Sequence, residues 1–527
     1  MIWVFICKNY KLGLLNLFHL FGSEDSKNSD IVIPHFFSGG IGLPDRDYYF
    51  NEDKKNHRRK YLEFLQNCIK LYDGKKLDLE FIISFETELA EKLYTNVERR
   101  DPKKRYNKFN VNEFIKKTNL NWKTFFNYNF KNIQSFIVDN PSFFSKFGEI
   151  FNNMPTEKLK IILKVNILSN YSSYLSTEFY DNKFEFSRKF LAGQKNKKEL
   201  WQRGVNFVDG YLGELLGEKY VEIYFSKKSK NKMEELVSYL ISTLKNRINE
   251  LTWMSPQTKE KAFDKLSNIK YKIGYPSKWR SFDKLNFSKC NNLIEMIFEI
   301  HKFNFEYDML RFYKKVNKHR WEMSAHAVNA YFHPLRNEIV FPAGILQKPF
   351  FDVNADDAYN FGGIGSVIGH ELTHGFDDKG RLYDSSGNLN NWWTKDDEDK
   401  FKVKSKYFVN EYNKVNVNGE FTLGENLADH GGVKISYYAL EQKLKDDFLL
   451  NSKIDGLSYH ERFFISYSNI WKSLITEEEY NKRLLTDVHS PNEYRVNVTL
   501  SNIPEFHMTF CTMPHNKMYR KNPEQIW

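Results

Sequence analysis

The segment His370-Glu371-Leu372-Thr373-His374 constrains this chain more than any other feature of its sequence. On an α-helix, two histidines four residues apart project from one face towards a common point. Two neutral imidazoles arranged in this way form half of a tetrahedral zinc site, and a catalytic zinc keeps one position open for water. Glu371, beside the first histidine, is placed to take a proton from that water. The segment therefore predicts a zinc site that hydrolyses amide bonds, although a pattern of this length also occurs by chance.

A second segment, residues 424–432, offers the third zinc ligand. Glu425 and Asp429 are four residues apart, so on a helix they share one face. Glu425 can complete the His/His/Glu ligand set of thermolysin-type zinc enzymes. Asp429 can then accept the free ring N–H of a ligand histidine and fix its tautomer. An ordinary acidic helix start would look the same, but the two segments together predict one Zn²⁺ per chain.

A third cluster lies at residues 486–491, where Asp487 precedes His489, with Arg495 close behind. Attack by water on a peptide builds negative charge on the former carbonyl oxygen, and a fixed donor there is worth about a hundred- to a thousandfold in rate. His489, held by Asp487, could be that donor, and Arg495 could grip a substrate carbonyl or carboxylate with its planar guanidinium. The spacing alone fits an ordinary loop histidine equally well.

The chain resembles the neprilysin and endothelin-converting-enzyme family of zinc metallopeptidases. The resemblance rests on short blocks that stand in the family's order and cover nearly the whole chain from about residue 16 onward. They are LPDRDYY at 43–49, LTWM at 251–254, VNAY at 328–331, IVFPAGILQ at 339–347, GGIG at 362–365, HGFDD at 374–378, LGEN at 423–426 and DVHSP at 487–491, down to Trp527. The resemblance implies a zinc-dependent endopeptidase that acts on oligopeptides.

The same resemblance implies catalytic roles for individual residues. The zinc ligands would be His370, His374 and Glu425, with Glu371 as the general base. Asp429 would hold the ring of His370, and Asp377 that of His374. His489 would be the transition-state donor.

Substrate-binding residues also follow from the resemblance. Asn329 and Ala330 would bind the substrate backbone as an added strand, and Arg495 would hold a carbonyl beyond the scissile bond. Ser366 stands where some relatives carry a larger apolar residue. The pocket for the side chain just after the scissile bond, expected to prefer apolar residues, would be lined by Ile345, Phe350, Val367 and Trp471.

The expected fold class is α+β and mostly helical. Apolar residues recur at helical spacing in residues 61–71, 77–93, 158–175 and 233–251. The pattern loosens over residues 271–291, where glycine and proline mark turns. We therefore expect residues 1–290 to form a large all-helical lobe that covers the cleft. Residues 291–527 would form a thermolysin-like zinc catalytic lobe with a short strand near 337–341.

Other functions remain open from the sequence. Relatives extend further upstream than Met1, so we expect part of the helical lobe to be missing. The alternative is then a catalytically impaired fragment or a non-catalytic peptide-binding protein. Intact ligand and base positions favour the enzyme. A zinc aminopeptidase would need an acidic site for the free amine of its substrate, and the sequence has no motif for one.

Composition bears on partners and compartment. The net charge of +11 includes basic clusters at residues 99–105 and 227–230, which we interpret as solvated faces because no nucleic-acid motif accompanies them. The apolar opening of residues 1–7 is far shorter than the roughly twenty residues of a membrane span and lacks signal-peptide features. We expect a soluble protein, cytoplasmic or secreted by a signal outside this chain, because four cysteines are few for a disulfide-rich ectodomain. The oligomeric state stays open.

Overall fold

The computed structural model describes residues 1–130, 132–450 and 453–527. The chain folds into two compact units, each built from three separate segments. Unit 1 comprises Met1–Arg203, Ser281–Val316 and Ile475–Thr486. Unit 2 comprises Gly204–Arg280, Asn317–Leu474 and Asp487–Trp527.

Most of the secondary structure is helical. In chain order the α-helices are α1 (Ile2–Asn9), α2 (Lys55–Asp73), α3 (Glu80–Lys92), α4 (Asn96–Arg99), α5 (Pro102–Arg105), α6 (Val111–Thr118), α7 (Trp122–Asn129), α8 (Pro141–Asn153), α9 (Thr156–Tyr171), α10 (Thr177–Lys183), α11 (Leu200–Tyr224), α12 (Lys227–Glu250), α13 (Pro256–Ser267), α14 (Leu293–Met309), α15 (Asp357–Asn360), α16 (Ser366–His374), α17 (Lys395–Asn413), α18 (Leu423–Asp446), α19 (Tyr459–Ile470), α20 (Glu477–Thr486), α21 (Asn492–Ser501) and α22 (Pro504–Thr509). Within the described ranges, none of the helices combines the length and the apolar character needed to cross a bilayer.

The strands are short and few. They are β1 (Phe18–Asp25), β2 (Asn28–Ser38), β3 (Asn107–Phe109), β4 (Phe136–Val138), β5 (Lys270–Gly274), β6 (Tyr331–His333), β7 (Glu338–Pro342), β8 (Lys453–Ile454) and β9 (Leu457–Ser458). β7 lies where the sequence predicted a short strand.

Unit 1 contains a four-stranded sheet beside its helices. The N-terminal part of the chain is therefore mostly helical, whereas the sequence predicts an all-helical lobe. The strand order is β1-β2-β4-β3, with β1 and β2 antiparallel and β2 and β4 parallel. Phe18 of β1 and Phe36 of β2 are buried, and each ring centroid lies 5.3 Å from that of Trp122 on α7. The sheet and the helices thus share one aromatic core.

Unit 2 holds the zinc motif and a three-stranded sheet of order β5-β7-β6. β5 and β7 run parallel, while β6 is antiparallel to β7 and lies at the edge. A five-residue π-helix, Phe361–Gly365, leads directly into α16. The helix α16, which carries the motif, therefore begins at the end of a fully buried segment.

The boundary expected near residue 290 differs from the observed division. Gly204–Arg280 belongs to the same unit as the zinc motif, whereas Ser281–Val316 belongs to unit 1. The physical reason is the apolar face of α12, whose Leu236 and Leu240 are buried in the same core as Leu372 of α16. Because α12 shares a buried core with the zinc helix, it belongs to unit 2.

All four cysteines are free in the structure. Cys7 and Cys68 are buried, Cys290 is half-buried and Cys511 is exposed.

Candidate metal centre

The zinc motif lies on α16 and the second acidic segment on the first turns of α18, and these two helices cross in direct backbone contact. A Cβ atom added to Gly369 would lie 2.6 Å from the carbonyl oxygen of Gly432, and one added to Gly432 would lie 2.6 Å from that of Ser366. A larger residue at either position would push the helices apart. Glycine at the crossing is therefore what brings Glu425 to the histidines.

Three side chains converge beside the crossing. The Nε2 atoms of His370 and His374 lie 3.0 Å apart. Glu425 Oε2 lies 3.2 Å from the first of these nitrogens and 3.3 Å from the second. The structure thus brings together the His/His/Glu set that the sequence predicted, in a geometry that can hold a metal ion.

Two carboxylates fix the tautomers of the two histidines. His370 Nδ1 lies 2.8 Å from Asp429 Oδ1, and His374 Nδ1 lies 2.7 Å from Asp377 Oδ2. An ionised carboxylate only accepts hydrogen bonds, so each ring carries its hydrogen on Nδ1 and donates it. A neutral ring in this tautomer directs its Nε2 lone pair into the cluster.

This arrangement fits a bound cation. The two Nε2 atoms face each other, and the Oε2 atom of Glu425 lies within 3.3 Å of both. Three electron-rich atoms held this close repel one another unless a positive charge lies among them. The nitrogen and oxygen donors are those that Zn²⁺ accepts in catalytic sites.

Arg495 of α21 binds Asp429 through two hydrogen bonds. Its Nε donates to Asp429 Oδ2 at 2.8 Å and its Nη2 to Oδ1 at 2.7 Å. Burial opposes ionisation of Asp429, but the guanidinium outweighs it and lowers the pKa of this carboxyl to about 2. The guanidinium also stacks 3.7 Å from the ring centroid of Trp471. Arg495, expected to hold substrate, is thus engaged by Asp429 through two of its three nitrogens.

His489 lies in the loop between α20 and α21 and points at the same cluster. Its backbone N–H and its Nδ1 each lie 2.9 Å from Asp487 Oδ1, to which both donate. Its Nε2 lies 3.1 Å from Glu425 Oε2. Burial disfavours the charged ring, but Glu425 and Asp487 outweigh it and raise the pKa of His489 to about 9.

Glu371 lies beside His370 on α16 and is 6 % exposed. Burial raises the pKa of this carboxyl, while the imidazoles of His370 and His374 act in the opposite direction. A carboxyl with a raised pKa is a better proton acceptor than an exposed one.

A cavity of about 430 Å³ opens onto the cluster. Its polar end contains Glu371, His489 and Arg495. Every residue that the sequence assigned to the site lines this cavity, except Asp377, which binds His374, and Asp487, which binds His489. The four residues expected to form the side-chain pocket also line it: Ile345, Phe350, Val367 and Trp471.

Asn329 and Ala330 immediately precede the edge strand β6 and line the cavity. The side-chain oxygen of Asn329 accepts a hydrogen bond of 2.9 Å from the backbone N–H of Ala330. An edge strand offers backbone groups to an added strand, so this side of the cavity suits an extended peptide.

The cavity includes residues that sequence reasoning missed. Met323, Val328, Tyr467 and Ile470 contribute to its lining. Tyr467 also donates a hydrogen bond of 2.8 Å to the backbone oxygen of Arg495. Only the helical spacing of the apolar residues of α19 signalled that this face is buried.

Comparisons with known proteins place this chain in a family. Models of peptidase family M13 match residues 5–276 and 329–526. Endothelin-converting enzyme 1 of Mus musculus is 33% identical over an alignment of 537 positions, which covers 97% of this chain and 69% of that protein. Neprilysin-3 of Drosophila melanogaster is 33% identical over 545 residues, with 96% and 69% coverage.

Solved structures agree with the sequence relatives. The inhibitor complex of the Mycobacterium tuberculosis zinc metalloprotease Zmp1 matches with a TM-score of 0.95 and 31% identity, over 99% of this chain and 82% of that one. PepO of Lactobacillus rhamnosis matches with a TM-score of 0.86 and 25% identity, over 98% and 82%. The chain belongs to peptidase family M13 and is a zinc metalloendopeptidase.

Proposed function

We propose that this endopeptidase cleaves oligopeptides on the amino side of an apolar residue. The observation that carries the proposal is the cavity, because the His/His/Glu cluster opens directly onto the wall formed by Ile345, Phe350, Val367 and Trp471. An apolar side chain that leaves water for such a wall gains roughly 25 cal/mol per Å². Buried Ser366 also lines the cavity. Its small hydroxyl side chain would make the pocket wider and more polar than a larger apolar residue at this position.

The proposed zinc ligands are His370, His374 and Glu425. Zinc held by these three residues would supply a Lewis acid for the scissile carbonyl and for the attacking water. Glu371 takes the proton of the attacking water, because its carboxylate lines the cavity beside His370 and its pKa is raised by burial. The same carboxyl can then deliver that proton to the departing amine.

His489 is proposed to donate a hydrogen bond to the oxygen that becomes negative. Asp487 binds its Nδ1, so the ring presents Nε2 to the cavity. A donor held in place before the reaction stabilises the developing charge without reorganisation.

Substrate positioning is assigned to Asn329, Ala330 and Arg495. The substrate peptide would extend along the edge of β6 and form backbone hydrogen bonds with Asn329 and Ala330. Arg495 Nη1 lies outside the pair with Asp429 and would bind a carbonyl beyond the scissile bond. Because Asp429 holds the guanidinium rigidly, little freedom is lost when substrate binds.

The test is product mapping on a peptide library, with Glu371→Gln as the matched inactive variant. We expect cleavage mainly before bulky apolar residues. Glu371→Gln should keep its zinc and lose at least about 10²–10⁴-fold in turnover. Cleavage mainly before acidic residues would refute the pocket assignment. A Glu371→Gln enzyme with most of its activity would refute the base, and peptide binding without turnover by the parent would favour a non-catalytic protein.

A further inference from the structure

Lys265 of α13 is a buried lysine close to the metal centre. The residue is 1% exposed. Its Nζ donates hydrogen bonds to three backbone oxygens, those of Gly375 at 2.7 Å, Gly380 at 2.8 Å and Tyr383 at 2.7 Å. An ammonium group has three N–H donors, so three carbonyls match it fully.

The surroundings of Lys265 are otherwise apolar. Its Nζ lies 5.8 Å from the ring centroid of Phe332, 5.6 Å from Phe376 and 5.9 Å from Trp392. Burial lowers the pKa of Lys265 to about 7, with Asp377 and Asp384 acting in the opposite direction. A buried ammonium group is stable only where hydrogen bonds compensate for its lost hydration, as the three backbone oxygens do here.

The three carbonyls belong to the segment that carries Asp377. Asp377 Oδ1 accepts hydrogen bonds from the backbone N–H groups of Lys379 at 2.8 Å and Gly380 at 2.6 Å. A Cβ added to Gly380 would lie 1.6 Å from the carbonyl oxygen of His374. The segment therefore folds tightly back against the end of α16, and Lys265 fastens it there.

We propose that Lys265 is a positioning residue for zinc binding that acts through Asp377 on His374. The Nζ of Lys265 binds the carbonyl oxygen of Gly380, and the N–H of Gly380 binds the carboxylate of Asp377. That carboxylate in turn binds Nδ1 of His374 and fixes the orientation of its ring. Arg495 supports the other imidazole more directly, because it bonds the carboxylate of Asp429. The inference rests on the proposed assignment of His374 as a zinc ligand.

The experiment measures the zinc dissociation constant by competition with a chelator. Lys265→Met keeps the volume of the side chain and removes its three donors. We expect zinc binding to weaken about tenfold to a hundredfold, as for the loss of other groups that orient a metal ligand. Asp377→Ala should weaken binding by a similar factor. The double variant should bind zinc no more weakly than Asp377→Ala alone, because both changes break one chain of contacts.

Lys272→Met is the matched control. Lys272 is also partly buried, and its Nζ donates to the backbone oxygen of Arg320 at 2.9 Å and to Glu338 at 3.0 Å. This variant should bind zinc as the parent does, even where its melting temperature falls. If Lys272→Met weakens zinc binding as much as Lys265→Met, the effect is general destabilisation and the proposal is wrong.

Two further outcomes would overturn the proposal: parent-like zinc binding by Lys265→Met, or effects that add fully in the double variant. If Lys265→Met fails to fold, Lys265→Gln replaces it, since its amide keeps two donors and should weaken zinc binding less. His374→Ala is measured in parallel. Parent-like zinc binding by that variant would refute the ligand assignment itself, which is distinct from a failure of Lys265 alone.

Discussion

His489 is the side chain of the site whose proposed role is confined to the transition state. His489→Ala should therefore lower kcat by about 10²–10³-fold while KM changes little. Steady-state kinetics on a short peptide, at equal zinc content, measure both. His319→Ala is a suitable control because His319 is exposed and does not line the cavity. A change confined to KM would make His489 a substrate-positioning residue instead.

Single residues differ in how far the sequence predicts them. The zinc motif and Glu425 could be predicted because a spacing of four residues on a helix already carries the geometry. The contact between Asp429 and Arg495 joins residues 66 positions apart, and no spacing rule covers such a pair. Lys265 was missed because a lysine on an amphipathic helix ordinarily predicts a solvated face.

The crossing of α16 and α18 is the element-scale feature on which the site depends. Gly432→Ala would place a Cβ 2.6 Å from Ser366 O and 2.7 Å from the backbone nitrogen of His370. We expect a loss of about 1–3 kcal/mol in the free energy of unfolding, together with weaker zinc binding. Thermal unfolding and chelator competition measure these effects.

Gly210→Ala is the matched control for the crossing. A Cβ at Gly210 on α11 has no neighbour within 4 Å, so the variant should bind zinc normally and change the free energy of unfolding by no more than about 1 kcal/mol. Normal zinc binding by both variants would mean that the helices can separate without moving the ligands.

Helices are present where apolar residues recur strongly at helical spacing. The four segments with helical spacing overlap α2, α3, α9 and α12. The hairpin of β1 and β2 was not predicted, because β2 lacks strict alternation of buried and exposed residues. It also contains Pro34, a residue that weakens any strand assignment.

At the scale of the whole molecule, Trp527 ties several parts of unit 2 together. It is 1% exposed, its ring lies 6.1 Å from that of Phe376 and 6.5 Å from that of Trp253, and Arg247 donates to its backbone oxygen at 3.1 Å. Trp527→Ala should lower the free energy of unfolding by about 3–5 kcal/mol. Denaturant unfolding measures the loss.

Trp201→Ala is the control for this change, because Trp201 is 69% exposed. Its effect should stay within about 0.5 kcal/mol. If both variants lose the same free energy of unfolding, buried Trp527 stabilises the fold no more than exposed Trp201 does.

The division into two units is the least predictable part of the fold. The sequence predicts two consecutive lobes, whereas each unit is built from three separate segments of the chain. Local composition marks turns and helices but does not record which distant helix a segment packs against. The burial of α12 against α16 is a long-range choice, visible only in three dimensions.

The glycine crossing also links metal supply to the amount of native protein. The histidines and Glu425 come from helices that meet only after the chain has folded, so the unfolded chain has no preformed site. Zinc that binds only the native state adds about 2.7 kcal/mol to stability when its free concentration is a hundredfold above the dissociation constant. Scarce zinc therefore withdraws that stabilisation, and starvation for the metal would deplete the folded enzyme as well as its activity.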